Sequence, residues 1–91
     1  MNVFMPESDV ISSLKTLDDR RLRKQILECR QIIAINDKIK NGASRVSYAN
    51  HPVVKFYRDK RAFLVYYGFY ATIEYCHRFG KDHKYSEWFW I

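Results

Sequence analysis

The first candidate for chemistry is a carboxylate inside a strongly basic stretch. Residues 17–33, LDDRRLRKQILECRQII, have five Lys or Arg side chains in their first fourteen positions and place Glu28 among them. One face of a helix over this stretch would carry Arg21, Gln25, Glu28 and Ile32. A carboxylate at the edge of the core and close to an anionic ligand suits a general acid or base. On periodicity alone, a surface ion pair with Lys24, four residues earlier, is the simpler interpretation.

Other common chemistries lack their motifs. The possible metal ligands are Cys29, His51, Cys76, His77 and His83. No two of them form a CxxC or HxxxH pair. No metal site is therefore expected. No serine or cysteine stands in a recognisable nucleophile motif, and the three glycines are too scattered for a phosphate-binding loop. The sequence gives no reason to expect a cofactor.

The net charge of +6 is concentrated in the middle of the chain. Residues 20–61 hold twelve Lys or Arg against three acids, whereas residues 1–19 hold one Lys against four acids. Residues 62–91 balance. A segment of charge +9 favours a polyanionic partner, because cations placed along phosphates release condensed counterions. A merely solubilising surface is the alternative.

Length and composition predict one domain over residues 1–91. The chain is 47% apolar and has no apolar run of about 18 residues, so no membrane segment is expected. Its start, MNVFMPESDV, lacks the basic and apolar regions of an export signal. We therefore expect a soluble cytoplasmic protein, in which Cys29 and Cys76 are small buried side chains rather than a disulfide.

Hydrophobic periodicity predicts an all-α fold of three to four helices. A short helix is expected over residues 8–16, capped by Ser8, and a longer one from Thr16 or Asp18 to about Lys40. Leu22, Ile26, Cys29 and Ile33 form the core stripe of the longer helix, and Asn36 interrupts it.

A loop over residues 41–50 leads to Asn50 or His51 as the next cap, with Pro52 in the first helical turn. The helical pattern then runs to Phe79, broken near Arg58 and Asp59, and stops at Gly80. Its part AFLVYYGFYATIEYC is apolar nearly all round, which predicts a central helix in which Gly68 allows close packing.

The segment YSEWFWI places three large aromatic side chains together: Trp88, Phe89 and Trp90. Packing onto the core is the favoured role, because tryptophan buries a large area. Stacking on unpaired bases is the alternative, since aromatic rings beside a basic surface hold nucleotides in many proteins.

Three stretches of the sequence resemble the pyrimidine-dimer DNA glycosylases of the endonuclease V type. Residues 17–28 are similar to the family pattern L-x-D-x-(H/R)-L-x-x-(Q/E)-x-x-E, whose last position is the catalytic carboxylate. The start MNVFMP resembles that of short bacterial relatives, and residues 50–68, NHPVVKFYRDKRAFLVYYG, resemble the family's aromatic, Asp-Lys-containing helix pair. The aromatic segment YSEWFWI also resembles the aromatic tail of the family.

The resemblance implies a glycosylase and abasic-site (AP) lyase that binds duplex DNA and extrudes a nucleotide. An N-terminal amine, of Met1 or Asn2, would attack C1′ and form an imine while Glu28 manages protons. Leu27 stands where well-studied members carry an active-site arginine, so a non-enzymatic DNA- or RNA-binding module is the alternative. The predicted nucleic-acid contacts are Arg20, Arg21, Arg23, Lys24, Gln25, Arg45, His51, Lys55, Arg58, Lys60, Arg61, Trp88 and Trp90.

Overall fold

The computed structural model describes residues 9–90, and these form five helices without a strand. The helices are α1 Val10–Thr16, α2 Asp19–Lys40, α3 Pro52–Phe56, α4 Arg61–Phe79 and α5 Ser86–Trp90. The predicted all-α class is confirmed. The predicted number of three to four helices is wrong, because the aromatic tail forms a short helix of its own.

Polar side chains at the helix starts fix the first three boundaries. The Asp9 carboxylate accepts the Ser12 N–H at 3.0 Å, so Asp9 caps α1 and the prediction of Ser8 is wrong. Asp18 caps α2 by accepting the Arg21 N–H at 2.8 Å. His51, one of the two predicted caps, caps α3 because its Nδ1 accepts the Val53 N–H.

The core lies where α2 and α4 pack together. The predicted stripe of α2 is confirmed, since Leu22, Ile26, Cys29 and Ile33 are all at most 1% exposed. Facing side chains of α4 are equally buried, and they are Leu64, Tyr67 and Ala71. Helix α4 contacts α2, α1 and α5, which confirms the prediction that it is the central helix.

Gly68 and Gly80 have structural roles that explain why glycine occupies them. A Cβ on Gly68 would overlap the ring of Phe89, so the missing side chain makes room for α5 against α4. Gly80 ends α4 in the left-handed conformation with φ +67°, which glycine adopts without steric cost. Neither Cys29 nor Cys76 forms a disulfide. No helix within residues 9–90 has the length and apolar character needed to cross a membrane.

Candidate functional site

Glu28 lies on α2 at the edge of the hydrophobic core. Its side chain is 13% exposed, next to Gln25 and Ile32, which are 7% and 0% exposed. Lys24 Nζ lies 4.0 Å from Glu28 Oε1 and its side chain is 70% exposed. An ion pair at this distance with an exposed lysine contributes little to stability. The ion pair with Lys24 therefore does not by itself account for the burial of this carboxylate.

A polar contact inside the core supports the helix turn that carries Glu28. The Tyr67 hydroxyl of α4 donates to Gln25 Oε1 at 3.4 Å, and both side chains are buried. Burial raises the pKa of Tyr67, so its phenol remains a hydrogen-bond donor. Gln25, which was predicted as a nucleic-acid contact, thus lies in the core.

The other carboxylates of α2 are paired with arginines of α4. Asp37 accepts two hydrogen bonds from Arg61, at 3.0 and 3.2 Å. Asp19 lies 3.1 Å from Arg78 Nη1, and Arg78 also binds Glu74 at 2.7 Å. These pairs fix both ends of α2 against α4. They also neutralise acids that would otherwise weaken the positive field of α2.

The outer face of α2, which lies beside its buried stripe, carries a row of cations. We define this outer face by Arg20, Arg23, Lys24, Leu27, Arg30 and Lys38, which are all cations except Leu27. Among residues 9–90, no ion pair engages Arg20, Arg23 or Lys38. Arg23 and Arg30 also lie over aromatic rings, of Phe79 at 4.8 Å and Tyr85 at 4.3 Å. Glu28 borders this cationic face.

Four other predicted contact residues make internal contacts. Arg58 donates to the Ala49 carbonyl at 2.6 Å and to the Asn36 side chain at 3.3 Å. Lys60 lies over the Phe56 ring and donates to Asp59. The other two are Arg61, which binds Asp37, and His51, which caps α3.

The remaining predicted contacts are at least partly exposed. Lys55 lies on the surface of α3, and Arg45 lies in the loop after α2. Arg21 is exposed, and its Nε lies 3.9 Å from Asp18 Oδ2. Lys55, Arg45 and Arg20 are therefore available to a polyanion without loss of the internal contacts described above. Lys24 and Arg23 are also exposed, and each makes one internal contact, with Glu28 and with the Phe79 ring.

The aromatic tail combines core packing with partial exposure. Phe89 is 3% exposed, whereas Trp88 and Trp90 are 38% and 42% exposed. Trp90 Nε1 donates to the Thr72 hydroxyl at 2.9 Å, which joins α5 to α4. Trp88 lies 5.7 Å from the Arg30 guanidinium. The prediction of packing onto the core is confirmed for Phe89.

Arg30 and Tyr48 were not predicted as functional residues. Arg30 lies seven residues after Arg23 and so shares its side of α2, a spacing visible in the sequence. Tyr48 has a positive φ of 63°, which no sequence pattern indicated. The predicted catalytic residues Met1 and Asn2 lie outside the described residues. Within residues 9–90, no three His, Cys, Asp or Glu side chains gather as a metal site would require.

The family model for pyrimidine dimer DNA glycosylases matches residues 1–87. The chain belongs to this family. No curated protein and no solved structure gave a match. A pyrimidine dimer DNA glycosylase acts on DNA, so family membership identifies DNA as the substrate class and DNA repair as the role. The cationic outer face of α2 suits such a substrate.

Proposed function

We propose that this pyrimidine dimer DNA glycosylase family member removes a damaged base and cleaves the strand through an N-terminal amine, with Glu28 as acid and base. The observation that carries the proposal is the position of Glu28. It is 13% exposed, borders the cations of α2, and occupies the last position of the family pattern. A carboxylate so placed can exchange protons with a bound nucleotide.

The first step is binding of the duplex and extrusion of one nucleotide. Arg20, Arg23 and Lys24 lie on the helix that carries Glu28, and they would bind phosphates beside the reacting nucleotide. Extrusion costs a few kcal/mol and is easiest at a lesion, where stacking is already weakened.

The second step is displacement of the base by the N-terminal amine of Met1 or Asn2. An α-amine titrates near pH 7.7–8.0 and is partly neutral under physiological conditions. The neutral amine attacks C1′, and the base leaves with the electron pair of the glycosidic bond. Loss of the amine proton and opening of the sugar give an imine, with Glu28 transferring the protons.

The third step is strand cleavage by β-elimination. A base removes a proton from C2′ of the imine, and the bond between C3′ and its phosphate oxygen breaks. Glu28 is proposed as that base. Hydrolysis of the imine then releases the amine for another cycle.

The second candidate function is binding of nucleic acid without catalysis. Leu27 favours it, because this side chain is 42% exposed on the cationic face and stands where well-studied relatives carry an active-site arginine. Loss of that arginine would remove one cation next to Glu28 while leaving the other phosphate contacts in place.

The test compares Glu28→Gln with Glu74→Gln. Both residues are mostly buried helix carboxylates with a cation four positions away, and their side chains are 13% and 15% exposed. Glu28→Gln should reduce incision by about 100-fold or more, the usual contribution of a general acid or base. Glu74→Gln should retain incision, although it removes the negative charge that pairs with Arg78 and will lower stability.

The measurement is incision of a duplex with a pyrimidine dimer and of an abasic duplex, with borohydride trapping of the imine. The abasic duplex separates base removal from strand cleavage. Full incision by Glu28→Gln would contradict its catalytic role. A wild-type protein that binds both duplexes but cleaves neither would favour the binding module.

A further inference from the structure

A second positively charged site lies at the end of the outer face of α2, beyond Glu28. The loop after α2 folds back over this face and forms a cleft of about 370 Å³. Three cations line it, Arg30 and Lys38 from α2 and Arg45 from the loop, together with the hydroxyl groups of Ser47 and Tyr48. No carboxylate is among the described residues that line the cleft. Its chemistry therefore matches a phosphate.

Arg30 is held in place by aromatic rings rather than by an acid. Its guanidinium lies 4.3 Å from the ring of Tyr85 and 5.7 Å from that of Trp88. The buried Nε has no hydrogen-bond partner among residues 9–90. Stacking restricts the side chain without neutralising it, and a planar guanidinium fixed in this way is well suited to bind a phosphate.

Tyr48 lines the same cleft in a strained backbone conformation. Its φ of 63° is in the left-handed region, which a tyrosine adopts only at a free-energy cost. The side chain is 59% exposed and lies edge-on to His51, with ring centroids 6.5 Å apart. The fold thus holds a large aromatic ring beside three cations, an arrangement typical of surfaces that bind unpaired nucleotides.

We propose that this cleft binds a phosphodiester of the DNA strand and that Tyr48 stacks on an adjacent unpaired base. The inference rests on the proposed function and deepens it by adding a second contact with the substrate. Lys38 is ten residues beyond Glu28, or about 15 Å along the helix and about four base steps of DNA. The cleft holds the strand at a distance from the reacting nucleotide, so α2 binds both sides of the point of extrusion.

The phosphate contact is tested with Lys38→Ala/Arg45→Ala against a control of equal charge, Lys15→Ala/Lys81→Ala. The control lysines are exposed and lie on α1 and after α4, outside the cleft. Binding to a fully paired duplex is measured over a range of salt concentrations. The cleft variant should bind at least about tenfold more weakly and lose about 1 to 2 from the slope of log K against log salt. The control should keep the wild-type slope.

The stacking contact is tested with Tyr48→Gly and Tyr48→Phe on a single-stranded oligonucleotide. Tyr48→Gly should bind about 5- to 100-fold more weakly, the loss expected for one stacked base. Tyr48→Phe retains the ring and should bind like the wild type. Because glycine accepts a positive φ without strain, Tyr48→Gly should melt at or above the wild-type temperature, which excludes unfolding as the cause.

The outcomes separate this inference from the proposed function. If the wild type incises damaged duplex while the cleft double variant binds with unchanged affinity and slope, the cleft proposal is overturned and the proposed function stands. If Tyr48→Gly binds single strands like the wild type, the stacking role is overturned. Failure of the wild type to bind any DNA would overturn both the cleft and the proposed function.

Discussion

Asn36 shows how one polar residue organises the end of α2. It interrupts the apolar row of the helix in sequence, yet it is only 9% exposed. Its Nδ2 donates to the Val54 carbonyl at 3.1 Å, and its Oδ1 accepts from Arg58 Nε at 3.3 Å. Both ends of the amide are thus satisfied, and α2 is tied to α3 and to the turn before α4.

Removing the Asn36 amide should therefore destabilise the fold. Asn36→Ala leaves the Val54 carbonyl and the Arg58 guanidinium without this partner, and we expect a loss of about 1–3 kcal/mol. Urea unfolding followed by circular dichroism measures it. The exposed Asn50 provides the control, since Asn50→Ala should change stability by less than about 0.5 kcal/mol. Equal stability of both variants would contradict a structural role for Asn36.

The sequence predicted those features of the fold that are set by residues close together in the chain. The stripe of Leu22 and Ile26 and the end of α4 at Gly80 follow from spacing and local conformation, and Asp18 is one of the two caps predicted for α2. It did not predict that Arg61 would pair with Asp37, 24 residues away. That choice depends on how α2 and α4 pack, which a local pattern does not contain.

The short helix α5 depends on contacts with α4 and on its own start. Ser86 Oγ accepts the His83 N–H at 3.0 Å, and His83 Nδ1 accepts the Tyr85 N–H at 3.1 Å. The rings of Tyr75 and His83 also form a T-shaped contact, with centroids 4.9 Å apart. Five residues are too few to show helical periodicity or to be stable alone, which is why the sequence did not reveal this element.

Acid should weaken the attachment of α5. Burial and the nearby charge of Lys84 lower the pKa of His83 below its usual 6.5, so the folded state binds this proton less readily than the unfolded state. The stabilising effect of neutral His83 is complete above pH 6.5 and is lost as pH falls through the lowered value. Protonated Nδ1 also ceases to accept the Tyr85 N–H.

Tryptophan fluorescence and thermal melting between pH 7.5 and 5 test this prediction. The wild type should melt at lower temperature as the pH falls, with a change in emission from Trp88 and Trp90. His83→Asn keeps a hydrogen-bond acceptor but does not titrate, so it should show a weaker pH dependence. His77→Asn, at an exposed position of α4, should keep the pH dependence of the wild type. If both variants lose the same part of the pH dependence, His83 is not the group responsible.

The whole molecule separates its charges so that one surface stays positive. Asp19 and Glu74 bind Arg78, Asp37 binds Arg61, and Asp59 binds Lys60. Of the cations on the outer face of α2, Arg20, Arg23, Lys24 and Lys38 remain exposed, whereas Arg30 is partly buried. The sequence predicted the excess of charge, because a sum over residues 20–61 needs no coordinates. It did not show which cations face solvent, since that depends on which acids the fold brings to which arginines.

Gly68 and Phe89 are 21 residues apart in the sequence and lie against each other in the core. This contact also constrains how the two positions can evolve. A methyl group at position 68 would improve the helix propensity of α4 but would overlap the ring. Gly68→Ala alone should therefore destabilise the protein, and Phe89→Leu should offset much of that loss in a double-mutant cycle. Among descendants of a common ancestor, side chains at these two positions should have changed together, each substitution permitted only by the other.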